Sequence, residues 1–155
     1  MKKNLVLTGM MGVGKSTIGK RLAKKLRVKF IDLDKLIEKR EKSSIKDIFE
    51  IKGEDYFRKI EKKIALQELK RSNTVISLGG GAFMNKDIRK EVESSSVSFW
   101  LDLNTKALLK RLKNSKKRPL LNQENLPLTV NKIYLERKKF YNQSNYRIKC
   151  NTISA

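Results

Sequence analysis

The chain has 155 residues, 39% hydrophobic and 34% charged, which suits one globular domain with a sizeable core and excludes a disordered chain or two full domains. Lys and Arg number 37 against 16 Asp and Glu, a net charge of +21 that favours nucleic acid, a membrane surface or phosphorylated small molecules without choosing among them. The lysines are spread along the helical segments and form no single block, the pattern of a solvated surface.

The first segment, NLVLT, is a short apolar run that ends in a glycine-rich turn. TIGKRLAKKL after it predicts a helix with Ile18, Leu22 and Leu26 on one face. VKFID predicts a second strand, DKLIEKRE a helix, and SIKDIFEIKGEDYFRKIEKKIALQELK a longer helical stretch broken at Gly53. TVISL and SVSFWLDL predict the third and fourth strands, with TKALLKRLK as the helix after the fourth. Residues 113–127 hold both prolines and little periodicity, which predicts a mobile loop; LTVNKIYLERKKFY predicts a helix and YRIKC a fifth strand. Strands that alternate singly with helices predict an α/β fold, a five-stranded parallel sheet with helices on both faces, in one domain over residues 1–155.

The turn after the first strand reads GMMGVGKST, the spacing G-x-x-x-x-G-K-[ST] from Gly9 to Ser16. Its backbone N–H groups can turn inward around phosphates, Lys15 can reach the β and γ oxygens, and the Ser16 hydroxyl can ligate Mg²⁺. A strand before it and a helix after it give the context this phosphate-binding loop requires. The chain is therefore expected to grip a phosphate donor, and the remaining question is what receives the phosphate.

Two carboxylates, Asp32 and Asp34, follow the second strand in FIDLDKL. Ligands of parallel sheets bind at the carboxyl ends of strands, so one can serve the metal and one the acceptor; either could instead cap the helix that follows. Gly79, Gly80 and Gly81 follow the third strand, where they allow close backbone approach to a ligand or a structural turn. Arg58, Arg111, Arg118 and Arg137 stand out in a lysine-preferring chain, because arginine suits planar recognition of carboxylate or phosphate; each could also be a solvated surface group. With no histidine in the chain, a general base must be a carboxylate, a lysine, a tyrosine or the lone cysteine, Cys150. One cysteine excludes an internal disulfide and a multi-cysteine zinc site, and fits a reducing compartment.

Taken together, GMMGVGKST, DLD, IFE, YFRKIE, SLGGG, KRPLL and LERKKFY run in one unbroken order from residue 5 to about residue 150. In this the chain resembles the shikimate kinases, small P-loop enzymes that transfer the γ-phosphate of ATP to the 3-hydroxyl of shikimate. The resemblance implies that Gly12, Val13, Gly14, Lys15, Ser16 and Thr17 bind the nucleotide, with Ser16 on Mg²⁺ and Asp32 supporting the metal through water. It implies that Asp34, Arg58, Gly79, Gly80, Gly81 and Arg137 bind shikimate, with Phe49, Phe57 and Glu61 lining or bracing that pocket. It places Arg118 over the γ-phosphate in a lid that includes Pro119 and Leu120, and Arg111 on adenine. Lys15, Asp34 and Arg118 are the expected catalytic groups.

Family members continue past the fifth strand through an adenine-contacting loop into a final helix, whereas this sequence ends at NTISA, so that helix is expected to be absent. ATP and shikimate are the expected partners of a cytoplasmic monomer that engages neither nucleic acid nor membrane. The apolar run at the start breaks at Thr8 and Gly9, which argues against a signal peptide, and no segment is apolar for long enough to span a bilayer. The competing readings are another small-metabolite P-loop kinase, acting on gluconate or a nucleoside monophosphate, and a basic nucleotide-dependent module that binds nucleic acid. The first differs in the acceptor half, at Asp34, Arg58, the three glycines and Arg137; the second requires clustered cations interleaved with exposed aromatics.

Overall fold

Five strands, β1 (Asn4–Thr8), β2 (Lys29–Asp32), β3 (Thr74–Ser77), β4 (Ser96–Asp102) and β5 (Tyr146–Lys149), form one parallel sheet in the order β2-β3-β1-β4-β5. The computed structural model describes residues 3–113 and 124–151. β3 and β1 lie at the centre, and Val6, Leu7, Val75 and Ile76 are almost fully buried. The chain leaves β1 toward β2 and leaves β3 toward β4 on the far side of β1. A crevice therefore opens between the carboxyl ends of the neighbouring strands β1 and β3, where open α/β sheets bind ligands.

Helix α1 (Lys15–Leu26) packs on β2 and β3 through a face the apolar pattern does not reveal. Its buried residues are Lys15, Gly19 and Ala23; Ile18 and Leu22 are half-buried and Leu26 is 47% exposed. The reason is steric, since a Cβ on Gly19 would overlap the ring of Phe30 in β2, and small residues let helix and sheet approach. Helix α2 (Leu33–Glu41) starts at the end of β2, where the side chain of Asp32 accepts from the Lys35 N–H as N-cap. α3 (Ile45–Lys52), capped by Ser44, and α4 (Glu54–Leu69) are separated at Gly53, whose φ of 85° carries the chain out of one helix and into the next.

Helix α5 (Lys86–Ser95) is not among the expected elements. Its apolar stripe consists of Ile88 and Val92 alone, both buried, and its start depends on Asn85, whose side chain accepts from the Asp87 and Ile88 N–H groups. α6 (Thr105–Leu112) follows β4, and α7 (Leu126–Tyr141) begins inside the segment expected to be a loop, because Pro127 suits a first helical turn. The rest of that expected lid, residues 114–123, lies outside the described residues, as do the last four residues of the sequence.

At the sheet's edge, Asp102 on β4 ties β5 to α7. Arg147 donates to Asp102 Oδ2 through Nε (3.0 Å) and Nη2 (2.7 Å), and the Tyr134 hydroxyl donates to Oδ1 at 3.0 Å. The guanidinium also lies 4.5 Å above the Trp100 ring. No helix among the described residues is long and apolar enough to cross a membrane.

Candidate active site

The loop from β1 to α1 turns on Gly9, Gly12 and Gly14, at φ of 134°, 79° and 103°. Those left-handed dihedrals strain any residue with a Cβ, and at Gly9 a Cβ would also stand 2.5 Å from the Leu101 carbonyl oxygen. Val13 is buried beneath the loop, while Gly12, Gly14, Lys15, Ser16 and Thr17 face a cleft. Lys15 Nζ donates to the carbonyls of Gly9 (2.7 Å) and Met10 (2.9 Å), which holds the ammonium at the loop's mouth. Arg111 donates to the carbonyl of Val13 at 3.1 Å and approaches that of Gly12 at 3.4 Å, so its guanidinium lies on the backbone of the same loop.

Asp32 uses both of its carboxylate oxygens. While Oδ1 caps α2, Oδ2 accepts from the Ser16 hydroxyl at 2.5 Å. A hydroxyl and a carboxylate oxygen side by side form a hard-oxygen pair that suits Mg²⁺, a cation that takes one or two protein ligands together with phosphates and water. No group of three or more His, Cys, Asp or Glu that could hold a metal exists among the described residues.

The same cleft, of about 450 Å³, continues past Asp34 to Phe57, Arg58, Glu61, Gly80, Gly81 and Arg137. Asp34 sits in the first turn of α2. Arg58 on α4 is oriented by two acids and two rings: Nη1 donates to Glu61 at 2.8 Å, Nη2 approaches Glu54 at 3.3 Å, and the guanidinium carbon lies 5.3 Å from the Phe57 centroid and 6.0 Å from that of Phe49. Phe49 and Phe57 pack against each other at 4.8 Å. Glu61 is 3% exposed; burial pushes its carboxyl above the ordinary range, the adjoining Arg58 opposes that shift, and Asp34 adds to it.

None of the three glycines after β3 has a positive φ, so conformational freedom does not explain them. Each makes room for a different group of the site. A Cβ on Gly79 would lie 2.6 Å from Asp34 Oδ1 and 3.1 Å from Glu61 Oε2; on Gly80, 3.1 Å from Arg137 Nη1 and 3.3 Å from the Met11 amide nitrogen; and on Gly81 it would overlap the Arg58 guanidinium. The sequence allows close approach to a ligand or a structural turn here; what the structure shows close to the run is the protein's own charged side chains. Through this run the acids of α2 and α4, the arginines of α4 and α7 and the phosphate loop converge within a few ångströms.

Arg137 is 8% exposed, and its Nη1 has no hydrogen-bond partner among the described residues. Buried guanidinium nitrogens are ordinarily paired, so this one stands out in a residue that also lines the cleft. Lys35, Glu38 and Ile45 also line the cleft, and no motif singled them out. Arg118, Pro119 and Leu120 lie outside the described residues.

Comparison with known proteins gives the family. The family model for shikimate kinase matches residues 11–155. A shikimate kinase from Sulfurihydrogenibium sp. (strain YO3AOP1) is 45% identical over 147 residues, which cover 94% of this chain and 87% of that protein. Among solved structures, shikimate kinase from Acinetobacter baumannii in complex with shikimate superposes with a TM-score of 0.95 at 31% identity, over 99% of this chain and 86% of that one. The Aquifex aeolicus vf5 shikimate kinase gives a TM-score of 0.83 at 36% identity, over 94% and 86% of the two chains. A family model that matches residues 11–155, and a relative 45% identical over 94% of this chain, place it in the shikimate kinase family.

Proposed function

We propose that the cleft works on one phosphoryl group from two ends, with ATP held by the Gly9–Ser16 loop and shikimate between Asp34, Arg58, the glycine run and Arg137. As a shikimate kinase, the protein is an ATP-dependent phosphotransferase that converts shikimate to shikimate 3-phosphate with release of ADP. The observation that carries the residue assignment is that Arg58, Arg137 and the glycine run line one cleft with the phosphate loop, so that a carboxylate bound there would meet two guanidinium groups.

Loop amides and Lys15 hold the β and γ phosphates, and Arg111 braces the loop's carbonyls. Ser16 and Asp32 would hold Mg²⁺, which supplies charge neutralisation on the β and γ oxygens when bound. Arg58 and Arg137 hold the acceptor's carboxylate, Glu61 keeps Arg58 in place, and Asp34 orients the acceptor hydroxyl toward the γ-phosphorus. Asp32 is engaged by Ser16 and the Lys35 amide at the metal side, whereas Asp34 lines the cleft beside Glu61 and the glycine run, which supports giving the hydroxyl to Asp34. Phosphoryl transfer through a loose transition state asks mainly for positioning and charge, so a single well-placed carboxylate is sufficient. This assignment describes a cytoplasmic monomer whose substrates are ATP and shikimate. Neither gluconate phosphorylation nor nucleic-acid binding is favoured, since a shikimate kinase model covers residues 11–155.

Arg58→Ala and Arg137→Ala are each expected to weaken shikimate binding by roughly one to two decades, the scale of a lost charged hydrogen bond, with ATP affinity little changed. Calorimetric titration of each ligand into each variant reads this directly. Unchanged shikimate binding in both variants would move the carboxylate elsewhere.

A further inference from the structure

Of the residues α7 buries, Leu126, Val130, Arg137 and Tyr141, only the last two carry hydrogen-bonding side chains. They are one turn apart and share a face. Tyr141 is fully buried, and its hydroxyl donates to the Gly80 carbonyl at 2.5 Å. The same oxygen lies 4.0 Å from Met10 Sδ, and the ring packs against Trp100 with centroids 5.9 Å apart. Gly80 is also where Arg137 Nη1 and the Met11 amide come closest to the glycine run. Three elements, α7, the phosphate loop and the segment after β3, thus meet at one peptide group.

Packing alone does not call for this hydroxyl. A phenylalanine would fill the space beside Trp100, whereas a buried hydroxyl is costly unless bonded. Burial pushes the phenol up to about 12, with Arg137 opposing the shift, so the proton stays on oxygen and the group remains a donor at neutral pH. We propose that Tyr141 is a positioning residue for the acceptor: its hydroxyl fixes the Gly80 carbonyl and so sets the height of the glycine run against Arg137 and the phosphate loop. The proposal rests on the reading that shikimate binds between that run and Arg137.

Tyr141→Phe keeps the ring and deletes the donor. Calorimetry should give a shikimate Kd raised about tenfold, the effect of one lost hydrogen bond, and an ATP Kd within about twofold of the unmodified protein. If both affinities fall by the same factor along with the melting temperature, Tyr141 merely supports the fold and the proposal is overturned. It is overturned equally if neither affinity changes. Shikimate that fails to bind the unmodified protein would remove the acceptor site itself, a different failure. If the phenylalanine variant does not fold, 3-fluorotyrosine at position 141 retains ring and donor and should bind shikimate at least as tightly as the unmodified protein. Weaker shikimate binding with ATP binding intact would contradict the assignment.

Discussion

Asp34→Asn is expected to lower turnover by roughly two to four decades, the scale of a positioned acid or base, while ATP affinity stays where it is. Asp34 lines the same cleft as Lys15 and Ser16, yet the Ser16 hydroxyl bonds to Asp32, not to Asp34. The donor side therefore keeps its carboxylate in this variant. On the acceptor side, asparagine preserves size and one acceptor oxygen but lacks the charge that orients a hydroxyl and takes up its proton late in transfer. Some shikimate affinity should be lost as well, because the hydroxyl loses a charge-assisted bond. Steady-state turnover together with calorimetric ATP binding measures both halves. Turnover within a factor of about three of the unmodified protein would leave Asp34 neither base nor positioner.

Lys15→Ala should damage the opposite end. Lys15 Nζ rests on the Gly9 and Met10 carbonyls at the mouth of the loop, a short swing from any phosphate seated there. Removing a preorganised charge aimed at the transferring group costs about two to three decades in kcat, and the hold on the β and γ phosphates should weaken with it. Shikimate binding in the absence of nucleotide should be unaffected, since the proposed acceptor contacts come from α2, α4, α7 and the glycine run. An ATP Kd and a turnover both unchanged would show that the loop amides alone support the reaction. Comparing this variant with Asp34→Asn separates donor from acceptor within one cleft.

Much of the fold was legible because the apolar runs are short, separate and alternate with helical spacing; all five strands and the helix break at Gly53 follow from that pattern. The misses have local causes. α5 offers only Ile88 and Val92 to the core, too narrow a stripe to reveal a helix, and α1 buries Gly19 and Ala23 rather than its leucines, because close contact with Phe30 rewards smallness over hydrophobicity. At the site, Lys15 and Ser16 could be read from the spacing of a single motif whose chemistry is local. The glycine run could be located but not explained, since its reason lies in Asp34, Glu61, Arg58 and Arg137, which come from three different helices. Tyr141 gave no signal, as it is one of two tyrosines in its helix and nothing in the pattern sets it apart until its hydroxyl is seen on Gly80.

The central claim concerns the identity of the phosphate acceptor, and a coupled assay of ADP release tests it most directly. With ATP and Mg²⁺ present, shikimate should accelerate ADP release strongly, while gluconate and nucleoside monophosphates at the same concentration should leave it at the background rate. Equal acceleration by gluconate, or none by shikimate, would contradict the account.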